Sequence, residues 1–469
     1  MRRFLVLFSV GFALGTVVAG AVGAGYIGWR LHQRSQRPVW GEVVRPVAGP
    51  RPVPAGPTGP LAGTVVYLSA GHGILLHRRH HDGDPISWGT QRGTTNGMIE
   101  DYWTANFVAD WLAPAIEAAG GTVIALRERD KNPEAYVLDD TDPGFSSFGL
   151  TEVVADPLAV GGHALRLAPG GSAAWRFVVP KDGHFYLYGQ WSAAEDQDTQ
   201  AILTVQAGEE VTELVVDQTD HGGHWWPLGD RCLREGTTVV VTLTGSGTEP
   251  LSADAIRIGG GTYRILLPWN NVVKEKPVWE VAFPHQLERL GAPEWIETFE
   301  CGNPVSDMRL RPHWASWAAP VGEDALYLSI HTNAVPRGRA KGLTSFYGFE
   351  SSPPTEAHPE SVRLAHTLDR AVWTAVHAHD KGYEDRGTKP GDYSEISPVH
   401  NMLPSALLEM GFHTDADDAR RMNTPQFKRD AAQGIVDGLV EWRAGRTPGA
   451  GPIRTEASRQ RGAPWDVWE

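Results

Sequence analysis

Thr64–Gly73 reads TVVYLSAGHG. Thr64–Ser69 is short, uncharged and rich in β-branched and aromatic residues, the pattern of a strand buried on both faces. Ala70-Gly71-His72-Gly73 ends it in a turn. Working outward, Glu100–Ala119 carries Trp103, Phe107, Val108, Trp111, Leu112 and Ile116 at helical spacing. Pro114 predicts a kink or an early end to that helix. Gly120-Gly121 stops it, and Thr122–Leu126 (TVIAL) reads as the next buried strand. Strand, helix, strand implies a parallel sheet with helices on its faces.

The rhythm breaks near Asp140. From about Thr151 to Gly260 short strands alternate with Gly-, Asp- and Pro-containing turns; examples are Ala173–Val179, His184–Gln190, Ala201–Val205 and Thr237–Leu243. This reads as an all-β sandwich, and it carries 15 acidic residues against 6 basic ones. The α/β pattern resumes at Ala325–Ile330 (ALYLSI), ending at His331. Helices follow near Pro359–His379 and Pro425–Arg443, on either side of a strand at Ser405–Glu409. The expected fold is thus α/β, a mostly parallel sheet flanked by helices and interrupted by an all-β sandwich insert.

Arg2 and Arg3 precede an uncharged stretch from Phe4 to Trp29, 26 residues and long enough to span a bilayer as a helix. An uncleaved N-terminal transmembrane helix is expected, with a cleaved signal peptide as the alternative. The organisation read from the chain is 1–30 anchor or signal peptide, 31–63 Pro/Gly-rich tether and 64–140 first part of the α/β domain. Then come 141–262 β-sandwich insert, 263–445 second part of the α/β domain and 446–469 disordered tail.

The net charge of −14 argues against nucleic acid as a partner, since phosphates require Lys and Arg. Two cysteines, Cys232 and Cys301, make neither a disulfide scaffold nor a cysteine zinc finger. Any zinc site must therefore use His and carboxylates.

Four residues stand where such a site could form. His72, His331 and Glu409 end predicted strands, and Glu100 begins a predicted helix. In open parallel sheets ligands bind beyond the strand C-termini, so residues remote in sequence can converge there. Two imidazoles and a carboxylate leave a tetrahedral zinc one position for water, and a further carboxylate can move that water's proton. Taken singly, a His after a strand is more often structural.

The segments SAGHG, GMIEDYWTANFVADWLAPAIEAAGGTVIALRERD, LYLSIHTNA and PSALLEMGFHTDADDAR resemble, in order, the zinc-dependent N-acetylmuramoyl-L-alanine amidases of the amidase-3 type. The likeness covers about Thr64–Asp139 and Tyr263–Arg443. It implies His72, Glu100 and His331 as Zn²⁺ ligands and Glu409 as catalytic acid/base. It also implies peptidoglycan as substrate and action in the cell envelope outside the cytoplasm, while membrane attachment is expected from the N-terminal apolar stretch. Asn333 is expected to fix its turn. One departure is SAGHGI where the family usually has DPGHGG, which removes an Asp that could support the metal. Arg386-Gly387 resembles an RG step of the family. Tyr263–Val321, long and rich in Trp and Pro, is expected to shape the substrate groove.

In the insert, GGSAAWRFVVPKDGHFYLYGQW, HWWPLG and SADAIRIGGG resemble golvesin-like and xanthan-lyase-type sandwich modules, which implies a polysaccharide partner, with Trp191, Trp225 and Trp226 as stacking candidates. A passive insert that shields or positions the cleft is the competing reading. His77, His80 and His81 read as a solvated loop, His221 and His224 as turn residues, and His413 as a packing or capping residue. Two rival functions are a non-catalytic wall-binding module and a zinc hydrolase of the same fold acting on another amide.

Overall fold

The structure, a computed structural model, describes residues 58–77, 87–127, 129, 135–259, 282–283, 286–287, 290, 304–319, 324–335, 340–349, 357–397 and 403–445. Of these, 75–77, 87–89 and 304–307 are described in backbone alone. The expected N-terminal anchor and residues 31–57 of the expected tether lie outside the described residues, as do His80, His81, Cys301 and the tail. The last part of the expected tether, 58–63, instead packs on the α/β body, because Leu61 is apolar and fully buried in its core. Among the described residues no helix is long and apolar enough to cross a membrane.

The α/β part is built on a six-stranded sheet. Its strands are β1 (Val65–Ala70), β2 (Thr122–Ala125), β3 (Ala325–Asn333), β4 (Leu343–Gly348), β5 (Asp385–Gly391) and β6 (Ser405–Phe412), in the order β5-β4-β6-β3-β1-β2. Strands β2, β1, β3 and β6 are parallel. The edge pair β4 and β5 is parallel within itself but antiparallel to β6. The sheet is therefore mixed, with its parallel portion at the strands that carry the site.

Both faces of the parallel portion β2-β1-β3-β6 are covered, which is why those strands read as continuous apolar runs rather than alternating ones. Val66, Leu68, Leu326, Leu328, Ala406 and Leu408 face one hydrophobic cluster. Val65, Tyr67, Ala325, Tyr327 and Leu407 face another. The period of two is intact, but burial on both sides hides it from a polarity count.

The first cluster is closed by helices. The segment after Ile99 runs as α1 (Glu100–Phe107), a π-helical turn (Val108–Leu112) and α2 (Ala113–Ala118). Pro114 sits in the first turn of α2, so the widened turn before it absorbs the missing N–H without ending the helix. Helix α4 (Pro359–His379) packs on α6 (Pro425–Ala444), with the short α5 (Ala416–Met422) between them in sequence. Their starts are capped, Thr424 Oγ1 accepting from the Phe427 N–H at 3.1 Å and Asp415 Oδ1 from the Asp418 N–H at 3.0 Å. Helix α3 (Pro304–Ala318) lies on the other cluster, burying Leu310, Trp314 and Ala315.

The interrupting segment is two antiparallel sheets. One has the order Glu210–Val216, Ala201–Ala207, Thr238–Thr244, His163–Val178, Leu251–Ala253, with Phe145–Ala155 also paired to His163–Val178. The other has the order Trp226–Leu233, Gly183–Gln190, Ala255–Gly259, Ala135–Leu138. Trp175, Phe177, Leu187, Leu203, Val241 and Ile256 share the core between them. Ala135–Leu138 pairs antiparallel with Ala255–Gly259, so the β-rich unit begins ahead of the expected boundary at 141. A four-residue strand with one fully buried side chain gives too weak a pattern to separate from the loop around it.

Candidate metal centre

The turn after β1 is held in a costly backbone conformation. His72 has φ 56°, left-handed territory for a residue with a Cβ. Gly71 before it must be glycine, because a Cβ there would lie 2.5 Å from the His331 ring. The two imidazoles therefore meet edge to face, centroids 4.9 Å apart.

Glu100 enters from the first turn of α1. Its Oε1 lies 3.3 Å from His72 Nε2 and 3.4 Å from His331 Nδ1. The Thr332 N–H donates to the same oxygen at 2.8 Å. His72, Glu100 and His331 are all buried, with one ligand atom of each within 4.8 Å of the others. Glu100 Oε2 and His72 Nδ1 are buried and have no hydrogen-bond partner among the described residues. Burial would raise the Glu100 carboxyl, but His72 and His331 overcome it and hold Glu100 well below the usual carboxylate range. Two imidazoles and a carboxylate this close form a donor set suited to zinc.

Strands β3 and β6 add Glu409. It is the register partner of His331, and parallel neighbours in register point to the same face. Glu409 is half-buried, and its Oε2 has no hydrogen-bond partner among the described residues. Burial pushes its carboxyl up to about 8, with Glu100 and Glu395 adding in the same direction.

Several contributors carried no sequence signal. Asp101, beside Glu100, accepts from the Gly73 and Gln91 N–H groups at 2.8 Å each and from the Arg92 N–H at 3.1 Å. It thereby ties the His72 turn to the helix that brings Glu100. The exposed Arg92 places Nε 3.5 Å from Glu100 Oε2. Glu395, in the turn after β5, lies 3.4 Å from His331 Nε2 and pairs with Arg311 of α3. Despite opposing burial, Arg311 and His331 hold the Glu395 carboxyl well below its usual range. His331 in turn is carried up to about 10, since Glu395 and Glu100 outweigh its burial.

His413, read as a packing residue, is buried against the site, Nδ1 2.9 Å from Thr332 Oγ1 and 3.7 Å from Glu100 Oε2. Asn333 accepts from the next residue's N–H at 2.8 Å, which suits a turn-fixing role. Arg386 stacks its guanidinium 5.2 Å from the Phe412 ring centroid.

Residues 315–441 match the N-acetylmuramoyl-L-alanine amidase family model. Residues 165–260 match the Golvesin C-terminal domain. The first match includes His331, Glu395 and Glu409. The chain is 32% identical over 117 residues to the N-acetylmuramoyl-L-alanine amidase LytC of Bacillus subtilis, 25% of this chain and 21% of that one. It is 27% identical over 121 residues to the germination-specific N-acetylmuramoyl-L-alanine amidase of the same organism, 26% of this chain and 45% of that one. The chain thus spans less than half the length of either relative. Among solved structures, the N-acetylmuramoyl-L-alanine amidase from Clostridium difficile 630 aligns at 22% identity and TM-score 0.25, covering 32% of this chain and 70% of that one. A Paenibacillus xanthan lyase aligns at 20% identity and TM-score 0.26, covering 28% of this chain and 13% of that one.

The tryptophans named as stacking candidates in the insert face inward. Trp191 and Trp225 are 2% and 6% exposed, and Trp226 is half-buried between the sandwich core and the cluster around α3. His221 and His224 do lie in a turn, but their rings pack: His221 is 4.2 Å from the Trp226 centroid, and His224 is 5.8 Å from Trp314 of α3. Trp226 and His224 join the insert to the α/β body, and Trp191 belongs to the sandwich core.

Proposed function

We propose that this chain is a zinc-dependent N-acetylmuramoyl-L-alanine amidase. It acts in the cell envelope, outside the cytoplasm, on the amide between the lactyl group of N-acetylmuramate and L-alanine in peptidoglycan. The observation that carries the reading is the convergence of His72, Glu100 and His331 from three separate segments, with Glu409 in register beside His331. His72, Glu100 and His331 would hold the metal. Bound there, zinc would polarise the scissile carbonyl and lower the pKa of a water.

Glu409 does the proton work. A half-buried carboxyl raised towards neutrality can, in its ionised form, accept the proton of the attacking water and then, as the acid so formed, return it to the leaving nitrogen. Glu100 stays ionised through the cycle, so the two carboxylates divide into ligand and base by environment. The Thr332 N–H holds Glu100 in place without adding charge.

In this reading the N-terminal apolar stretch attaches the enzyme to the membrane. Polysaccharide contact by the insert falls on the cavity of about 240 Å³ beside β2, lined by Tyr186, Tyr188, Trp225, Arg129 and Asp230. Aromatic and charged side chains together suit a sugar's apolar faces and hydroxyls.

The test is metal analysis of the purified protein followed by digestion of isolated cell walls. The proposal predicts bound zinc and release of peptides with a free N-terminal L-alanine. Wall binding without release would instead indicate a non-catalytic module, and cleavage at another amide would overturn the assigned bond.

A further inference from the structure

A buried ion pair lies against the metal centre and has no part in the chemistry assigned above. Arg311 and Glu395 are 0% and 3% exposed, with Nη1 2.7 Å from Oε1. Such a pair is weak evidence for stability, because desolvation offsets most of the attraction. What distinguishes this one is where its other atoms go. Arg311 Nη2 donates to the His72 carbonyl at 2.9 Å, and Nη1 to the Ala70 carbonyl at 3.3 Å. Glu395 Oε2 accepts from Ser329 Oγ at 2.9 Å and lies 3.4 Å from His331 Nε2. One pair thus reaches the backbone under one imidazole and the ring of the other.

We propose that Arg311 and Glu395 are positioning residues, which hold His72 and His331 in the geometry that binds the metal. The inference rests on the zinc reading above. The His331 ring lies between two carboxylates, Nδ1 3.4 Å from Glu100 Oε1 and Nε2 3.4 Å from Glu395 Oε2, and these charge contacts favour this ring orientation. A carboxylate behind a ligating imidazole fixes its orientation and raises its basicity. His72 is held differently. Its Nδ1 is buried without a hydrogen-bond partner among the described residues, and Ser69 stands at the turn position where the resembled family carries Asp. Its placement therefore depends on its backbone, which is left-handed at φ 56° and has its carbonyl tied to Arg311. Arg311 is fixed in turn by α3, whose Trp314, one turn on, packs edge-on against Tyr67 of β1 at 6.0 Å.

The deciding experiment measures zinc affinity of the full chain by competition with a chelator, beside the metal-free melting temperature. The proteins are wild type, Glu395→Gln, the double variant Arg311→Met/Glu395→Met, and His331→Ala. Glu395→Gln keeps the shape and removes the charge. It should weaken zinc binding ~10- to 100-fold, the usual cost of losing a partner behind a metal ligand, and lower the metal-free melting temperature, because Arg311 is left buried without its counter-charge. The double variant swaps the ion pair for apolar side chains of similar volume, which generally preserves a fold. A merely structural pair predicts that it binds zinc like wild type; the positioning role predicts the same weakening as Glu395→Gln. Unchanged zinc affinity in both variants overturns the proposal. If the double variant does not fold, Glu395→Gln alone decides, and if neither folds the pair is a folding element and the proposal falls. A wild type that binds no zinc, or binds it equally well after His331→Ala, refutes the zinc reading itself.

Discussion

Two pairs of buried histidines in this molecule share a ring geometry and little else. His72 and His331 meet with centroids 4.9 Å apart at 83°, and His221 and His224 with centroids 5.3 Å apart at 77°. The first pair encloses Glu100 and backs onto Glu395. The second is walled by Trp226, Trp314 and Trp317. Neighbouring carboxylates carry His331 up to about 10, whereas burial and the adjacent His221 hold His224 well below its usual value. Two close imidazoles therefore do not by themselves make a metal site. In the proposed reading the anionic group between them is what suits the first pair to a metal, because it compensates the charge that a cation or a proton brings into a desolvated pocket.

The sharpest break between the pairs should come from deleting ligands. His331→Ala or Glu100→Ala should abolish stoichiometric zinc and lower wall hydrolysis by at least ~10³-fold, as expected when one member of a catalytic unit is removed. His224→Leu should leave zinc content and hydrolysis unchanged. Zinc analysis and release of free L-alanine N-termini check both outcomes. Loss of zinc in the His224 variant would erase the distinction drawn here.

Next in size is Glu409→Gln. It should reduce kcat ~10²- to 10⁴-fold, the range of general acid–base catalysis, with zinc bound at the wild-type ratio. Near wild-type turnover would remove Glu409 from the proton-transfer role.

Zinc affinity should depend on pH through the first pair. His331 must lose its proton to ligate, so affinity falls as pH drops below about 10, by ~tenfold per unit for each proton displaced. Competition titrations at several pH values test this, and an affinity independent of pH would contradict it.

The smallest effect concerns stability of the metal-free protein, where the two pairs should act with opposite sign. His331 has a raised pKa, so its contribution is complete below the ordinary 6.5 and is lost as pH rises towards about 10. Glu409, raised from 4.5 to about 8, acts in the same direction over its own range. His224 has a lowered pKa, so its neutral form favours the fold and stability falls as pH drops below 6.5. Glu100 and Glu395, held low, add to the acid loss only within and below the usual carboxylate range. Thermal melts across pH should show His224→Leu flattening the limb just below 6.5 and leaving the alkaline limb intact.

Legibility followed burial and length. The long segments Pro359–His379 and Pro425–Ala444 were read nearly to the residue, because an amphipathic face and a proline start are local signals. The reversed edge strands β4 and β5 were not read. Asp385–Gly391 (DRGTKPG) is half exposed and contains Gly and Pro, so its composition argues against a strand that only pairing with β4 creates. Glu395 went unread for a related reason. It sits in a turn without periodicity, and its importance comes from Arg311, 84 residues away in the chain.

What the amino-acid sequence determined by itself is the set of apolar parallel strands β1, β2, β3 and β6 and the residue types placed at or near their C-terminal parts. Backbone propensity and hydrophobic period are local; His72 and Glu100 lie where such an element stops or starts, while His331 and Glu409 lie within strands that pairing carries on to Asn333 and Phe412. Only the tertiary structure decided which nitrogen of each imidazole faces which carboxylate, that Arg311 and Glu395 brace the two ligand turns, and that the insert's tryptophans face inward. Those outcomes depend on desolvation and on distances between segments far apart in the chain, and neither exists until the sheet and helices have packed.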